Sequence, residues 1–156
     1  MNALLDTVRR HALAHGDAQG PAETAIPGLL TVSATAPSGL LHAISQPLIC
    51  LVVQGSKQVT MGAESFSFSA GDSLLITADV PIVSQITKAS PAAPYLSLVL
   101  ELDPVVIEEL SAQMGTESPD DAAPVRVDPT DQEVADAALR LMRLLDRPES
   151  LNVLQA

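Results

Sequence analysis

Eight short apolar segments, separated by turn-forming residues, constrain the fold of this chain more than any other feature. The gaps between them hold Pro-Ser-Gly, Gly-Ser, Gly-Ala and Ala-Gly-Asp, and these residues favour tight turns. Short strands at this spacing are typical of an antiparallel sandwich or barrel, because βαβ units would place helical patterns between the strands. The predicted strands are 29–35, 40–45, 48–54, 57–61, 64–69, 73–77, 82–88 and 94–102.

Side-chain alternation indicates which strand faces are buried. In the last strand, leucines alternate with a mixed set of residues, so that each set lies on one face of the sheet. The leucine face holds Leu96, Leu98, Leu100 and Leu102, and the other holds Tyr95, Ser97, Val99 and Glu101. Residues 48–53 are apolar throughout, which predicts a strand buried on both faces.

Helical patterns flank the strands. Residues 4–15 repeat apolar side chains at helical spacing, and residues 16–28 are rich in Gly, Pro and small residues, which predicts a mobile arm. Asp103 is a suitable N-cap for a helix that begins at Pro104 and ends near Met114. Residues 116–129 have the acidic, proline-containing composition of a loop.

The last predicted helix carries an unusually wide apolar face. It begins with a capping box at residues 130–133 and ends before Pro148. One stripe holds Val134, Ala138, Leu141 and Leu145, and an adjoining stripe holds Ala137, Leu141 and Leu144. Either the whole face packs on the β domain, or one stripe pairs with a second subunit across a two-fold axis. The predicted dimerisation residues are Ala137, Leu141, Leu144 and Leu145.

Composition restricts the possible partners. The chain has 156 residues and a net charge of −11, and DNA affinity depends mainly on basic side chains, so these residues are not expected to bind nucleic acid. A single cysteine rules out a disulfide within the chain, which favours a reducing cytoplasm. The N-terminus lacks the apolar core of a signal peptide, and no apolar run reaches the ~20 residues of a membrane span. We therefore expect a cytoplasmic protein.

Motifs for catalysis are missing from the sequence. His11 and His15 lie four residues apart on the first helix, but a metal site needs further ligands, and His42 is expected to be structural. Cys50 lies between apolar neighbours without a nearby base, so it is expected to pack as a small hydrophobe. No nucleophile elbow, P-loop or dinucleotide fingerprint occurs. We therefore predict no catalytic residue, no bound metal and no cofactor.

Several motifs occur in an order that resembles a known family. Residues 47–57, PLICLVVQGSK, are followed shortly by Gly62, and this stretch is similar to the pattern P-x-[IL]-x-[VL]-V-x-Q-G-x-K then G of a subgroup of AraC-type transcription regulators. The resemblance covers roughly residues 25–150. It continues through Phe66–Asp72, Ala78–Pro81, Lys88–Ser90, Pro94–Leu96 and Leu139–Pro148.

This resemblance implies a cupin-like antiparallel double-stranded β-barrel that serves as a regulatory and often a dimerising module. The implied organisation is a helix and flexible arm over 1–28, a barrel over 29–102 and a helical linker over 103–147. A DNA-binding domain with two helix-turn-helix motifs is expected outside this sequence. Metal-binding cupins carry histidines that residues 55–61 and 81–84 lack, which disfavours a cupin metalloenzyme.

We therefore predict the effector-sensing domain of an AraC-type regulator rather than an enzyme. Its expected partners are a small hydrophobic or amphipathic effector, a second copy of the chain, and DNA through the further domain. Tyr95 and Cys50 are the candidate effector-binding residues. The alternatives are a metal-free cupin-like enzyme and a structural dimerisation module whose barrel is filled by its own side chains.

Overall fold

The computed structural model describes residues 2–14, 20–103, 105 and 124–145, and most of them form β-structure. The elements are α1 (Asn2–Ala14), β1 (Gly20–Glu23), β2 (Leu29–Ala34), β3 (Leu41–Ser45), β4 (Leu48–Gln54), β5 (Ser56–Met61), β6 (Glu64–Ser69), β7 (Asp72–Ile76), β8 (Val80–Lys88), β9 (Tyr95–Glu101), β10 (Val125–Pro129) and α2 (Gln132–Leu144). The eight predicted strands correspond to β2–β9. The predicted mainly β fold with flanking helices is thus confirmed.

The strands form two antiparallel sheets that enclose a common core. The large sheet has the order β1-β2-β9-β4-β7-β10, and the small sheet has the order β3-β8-β5-β6. The two sheets pack around the inner core, but they are not hydrogen-bonded into a closed barrel over the described residues. The fold is therefore a barrel-like sandwich with open sides.

Two apolar cores lie on the two faces of the large sheet. The inner core, between the sheets, includes Cys50, Val52, Val59, Phe68, Leu74, Ile76, Ile86 and Tyr95. The outer core, between the large sheet and the helices, includes Leu4, Val8, Leu29, Leu51, Val53, Leu96, Leu98, Ala138 and Met142. Successive strand residues point to opposite faces, so β4 and β9 contribute to both cores. This explains why residues 48–53 contain no polar side chain.

Two segments predicted to lack regular structure contain strands. Gly20–Glu23, within the predicted arm, pairs with β2, and Val125–Pro129, within the predicted acidic loop, pairs with β7. Both strands lie at the edges of the large sheet, where proline is tolerated because only one side of the strand is hydrogen-bonded. The arm assignment was wrong for residues 20–23, because Gly and Pro are typical of loops and give an edge strand no recognisable sequence pattern.

The helix termini refine the sequence prediction. At α2 the N-cap is Asp131, whose carboxylate accepts a hydrogen bond from the Glu133 amide at 2.8 Å. Thr130, predicted as the cap, instead forms a 2.6 Å hydrogen bond with the Ser73 hydroxyl. The Asp103 carboxylate accepts from the Val105 amide at 2.8 Å, as expected of a cap.

Other predictions fall on residues that the structure does not describe. Most of the helix predicted over 104–114 and the end of the last helix at Pro148 lie outside the described residues, as does His15. Among the helices that are described, none has the length and apolar character needed to cross a bilayer.

Candidate functional site

The structure brings the two predicted effector-binding residues into the same core. Tyr95 and Cys50 both lie on the inner face of the large sheet and are 0% and 2% exposed. Ser97 lies on the same face of β9, two residues from Tyr95, and is also 0% exposed. These three side chains form a buried polar cluster within an otherwise apolar interior.

A glycine allows Tyr95 to reach this position. Gly55 links β4 to β5 with a φ of +86°, a conformation that side chains disfavour. A Cβ added at Gly55 would lie 2.5 Å from the Lys88 carbonyl oxygen and 3.0 Å from the Tyr95 Cα. The glycine of the Gln-Gly-x-Lys motif thus lets the start of β9 pack directly against the corner between the two sheets.

The glutamine of the same motif holds that corner in place. Gln54 donates from Nε2 to the Pro94 carbonyl oxygen at 2.8 Å, so it fixes the chain just before Tyr95. Its Oε1 accepts a hydrogen bond from Arg9 Nη2 at 3.1 Å. Gln54 therefore connects α1 to the backbone that positions Tyr95.

Two hydroxyls of the polar cluster are unsatisfied. The Tyr95 and Ser97 hydroxyl oxygens are buried close to each other and to the Cys50 thiol, but neither forms a hydrogen bond of good geometry with a described residue. Leaving a buried polar group unpaired costs about 1–3 kcal/mol, so such groups are rare in folded proteins and require an explanation. Sequence reasoning missed Ser97, because one serine in a strand carries no signal until its burial is known.

The cluster is electrically neutral apart from one nearby cation. Burial raises the pKa of the Cys50 thiol, although the positive charge of Lys57 and the nearby Ser97 and Tyr95 hydroxyls oppose the rise. Burial, followed by the adjacent Cys50, also raises the pKa of Tyr95. The thiol therefore stays protonated and is a poor nucleophile, while the phenol keeps a proton that it can donate.

An open cleft lies beside the strands that carry this cluster. It has a volume of about 330 Å³ and opens where β1 and β2 face β3 across the two sheets. Its lining includes Leu30, Val32, Ile44, Leu48, Val99 and Glu101. In the large sheet Val32 pairs with Ser97, and Val99 pairs with Cys50. The apolar floor of the cleft is therefore the immediate neighbour of the polar cluster.

The predicted dimerisation residues lie on a flank of α2. The most buried stripe of this helix consists of Ala135, Ala138 and Met142, and the sequence stripes included only Ala138. Leu141 and Leu145 also pack against the outer core. The remaining two predicted residues, Ala137 and Leu144, are half-buried. Part of the wide apolar face is thus used within the subunit.

A small apolar groove runs beside α2. It has a volume of about 100 Å³ and lies between the helix and the outer face of the large sheet. It is lined by Leu29, Ile49, Leu51, Leu98, Leu100, Val134, Ala137, Ala138 and Leu141.

The two described histidines lie on different elements, His11 on α1 and His42 on β3. His11 Nδ1 lies 3.4 Å from the Thr31 hydroxyl, and His42 is exposed on β3. Over the described residues there is no group of three or more His, Cys, Asp or Glu side chains placed to hold a metal ion.

Comparison with known proteins gives one family and a set of distant structures. The family described as AraC-type transcriptional regulator N-terminus matches residues 25–156. No curated protein matches the sequence. ToxT of Vibrio cholerae with bound unsaturated fatty acid superimposes with a TM-score of 0.51 at 10% identity, covering 78% of this chain and 47% of that one. An apo variant of ToxT gives 0.51 at 8% identity, with 78% and 49% coverage.

A cupin-2 domain protein of Shewanella frigidimarina gives a TM-score of 0.41 at 11% identity, with coverage of 64% of this chain and 99% of that one. The chain spans about half the length of the ToxT chains that it matches.

Proposed function

The chain belongs to the family of AraC-type transcriptional regulator N-termini, and we propose that it is the effector-sensing domain of such a regulator. One observation carries this proposal. Two fully buried hydroxyls, on Tyr95 and Ser97, form no hydrogen bond of good geometry with a described residue and lie on strands that border an open apolar cleft. A ligand that entered from the cleft would supply the missing hydrogen-bond partners.

The lining of the cleft defines the class of effector. Leu30, Val32, Leu48 and Val99 provide apolar surface, whereas the cluster beside Val32 and Val99 provides hydroxyls that do not line the cleft itself. Such a site suits a small molecule with an apolar body and one polar end. ToxT, which shares the fold, binds an unsaturated fatty acid, and this is consistent with an amphipathic effector here.

Effector binding would act by opening the inner core. The space between the sheets is filled by buried side chains, so the polar end of an effector reaches Ser97 only if Val32 or Val99 moves. An effector that binds the opened state better than the closed one shifts the equilibrium between them. β2, which borders the cleft, contacts α1, and α1 contacts α2. The movement would thereby reach the helices.

The remaining features of the proposed regulator follow from this assignment. DNA would be bound by a domain outside this sequence, since the present residues carry a net charge of −11. A second copy of the chain would pair through the flank of α2 that contains Ala137, Leu141, Leu144 and Leu145. We place the protein in the cytoplasm and assign it a regulatory rather than a catalytic role.

A thermal-shift screen of small metabolites tests effector sensing. We expect at least one amphipathic compound to raise the melting temperature of the wild type, and Tyr95→Phe and Ser97→Ala to reduce that shift. Ser67→Ala is the matched control, because Ser67 is exposed on the small sheet. If a broad panel of acidic, neutral and basic compounds stabilises nothing, the alternative of a structural module with a filled barrel is favoured. A stoichiometric metal in the purified protein would instead favour the enzyme alternative.

A further inference from the structure

The Gln-Gly-x-Lys and Pro-Tyr-Leu motifs meet at one corner of the fold, but the proposed function does not explain the lysine. Gln54 holds the Pro94 carbonyl, and Gly55 packs against Tyr95, so both residues have structural reasons to be there. Lys57 follows Gly55 by two residues at the start of β5. The surroundings of its side chain therefore indicate its role.

Lys57 faces the inner core. In the small sheet it pairs with Phe68 on one side and Ile86 on the other, and these residues are 2% and 7% exposed. Val59, which shares the same face of β5, is 0% exposed. Cross-strand partners project to the same face of a sheet, so the half-buried Lys57 side chain extends between the two sheets.

The charge of Lys57 has no counter-ion in the described part of the chain. No carboxylate forms an ion pair with its ammonium group there, although the chain has 19 acidic residues against 8 basic ones. The charge of Lys57 acts on the thiol of Cys50, which is protonated and carries no negative charge. The Lys57 side chain is half-buried on the inner side of the small sheet and has no ion-pair partner among the described residues, so its positive charge would favour an anion that entered there.

We propose that the effector is an organic acid and that Lys57, Tyr95 and Ser97 together bind its anionic group. The ammonium group would form a charge-assisted hydrogen bond, and the two hydroxyls would donate to the same anion, so that both hydroxyls and the positive charge would gain a partner at once. This inference rests on the proposed effector-sensing function and specifies the chemistry of its ligand.

Charge also determines the orientation of such a ligand. Glu101 lines the cleft and is exposed, so it repels an anionic group on the solvent side. Lys57 attracts the same group toward the inner core. The apolar body of the acid would then contact Leu30 and Leu48 near the mouth, and its anionic end would lie innermost.

Binding of matched acids and esters tests this proposal. Decanoate and 2-naphthoate, and the methyl ester of each, would be titrated into the wild type and three variants, with calorimetry and thermal shift as readouts. Lys57→Met removes the charge at similar length, Lys57→Arg retains it, and Lys88→Met makes the same change at an exposed position on the small sheet. Melting curves without ligand establish that each variant folds.

We expect at least one acid to bind wild type about tenfold or more tightly than its ester, because only the acid pairs with a charged donor. Lys57→Met should remove that preference, while Lys57→Arg and Lys88→Met keep it. Equal binding of acid and ester overturns the inference and leaves effector sensing intact. A preference that survives Lys57→Met also overturns it.

Two further readouts keep the result interpretable. If Lys57→Met fails to fold, the acid-over-ester preference of the wild type and its loss in Tyr95→Phe decide the question. If neither acid nor ester binds, the inference is overturned, and the broad screen described above decides separately on effector sensing.

Discussion

At the scale of single residues, Gly55 of the Gln-Gly-x-Lys motif occupies a position that only glycine fits without strain. Its φ is +86°, and an added Cβ would meet backbone atoms of Lys88 and Tyr95, neither of which is the flexible end of a side chain. We expect Gly55→Ala to lower the free energy of unfolding by about 2 kcal/mol or more. Gly39→Ala is the control, since its Cβ would meet nothing within 4 Å. Urea denaturation measures both, and equal effects would contradict the close approach.

Removing the Tyr95 hydroxyl is expected to have the opposite effect on the free energy of unfolding. Because this buried hydroxyl forms no hydrogen bond of good geometry with a described residue, its removal relieves a desolvation cost and breaks no strong hydrogen bond. We expect Tyr95→Phe without effector to be neutral or more stable by up to about 2 kcal/mol. Thermal and urea denaturation provide the measurement. A loss above about 1 kcal/mol would mean that the hydroxyl is already satisfied.

Sequence reasoning identified part of this site and missed the rest for a clear reason. Alternation in β9 placed Tyr95 and Ser97 on one face, and the structure has both in the inner core. Cys50 lay in a uniformly apolar run and could be assigned to burial but not to a face. The sequence indicated Lys57 only as part of the Gln-Gly-x-Lys motif. The face on which its side chain lies depends on the pairing of β5 with β6 and β8, and these contacts are distant in sequence.

At the scale of secondary-structure elements, turn chemistry predicted β2–β9 well because each strand is bounded by residues that favour turns. The two edge strands were not predicted. β1 contains Gly20 and Pro21, and β10 contains only Val125 and Val127 as apolar residues. Their formation depends on the exposed backbone edges that β2 and β7 offer, and sequence alone does not reveal which edges are free.

The flank of α2 yields a prediction about assembly. Leu144 is half-buried, whereas Leu141 packs against the outer core, so only Leu144 tests the interface with little effect on the fold. If the proposed dimer uses this flank, Leu144→Asp should shift the protein toward monomer in sedimentation velocity. Arg140→Asp, on the exposed face, is the control. An unchanged association state for Leu144→Asp would exclude this flank from the interface.

At the scale of the whole molecule, the large sheet joins the two cores into one structure. Its inner face packs on the small sheet, and its outer face packs on α1 and α2. Residues 95–98 alternate between the two cores. Loss of packing in one core should therefore destabilise β9, which also contributes side chains to the other core. This continuity is what the proposed signal from the cleft to the helices requires, because independent layers could not transmit a shift.

A single tyrosine makes this cooperativity measurable. The chain has no tryptophan, so its intrinsic fluorescence comes from Tyr95 in the inner core, while circular dichroism reports all elements. Leu4, on α1, is 2% exposed in the outer core. We expect Leu4→Ala to lower the free energy of unfolding by about 2–5 kcal/mol and to move both signals to the same lower urea midpoint.

Leu13→Ala, on the same helix but 70% exposed, should change the stability by less than about 0.5 kcal/mol. Separate transitions in Leu4→Ala, with the Tyr95 signal unmoved, would mean that the helical layer unfolds independently of the sandwich. The proposed route from the cleft to α2 would then lack its mechanical basis. Coincident transitions would show that Tyr95 and the helices belong to one cooperative unit, because a cavity on one side of the sheet would then destabilise the side chains on the other.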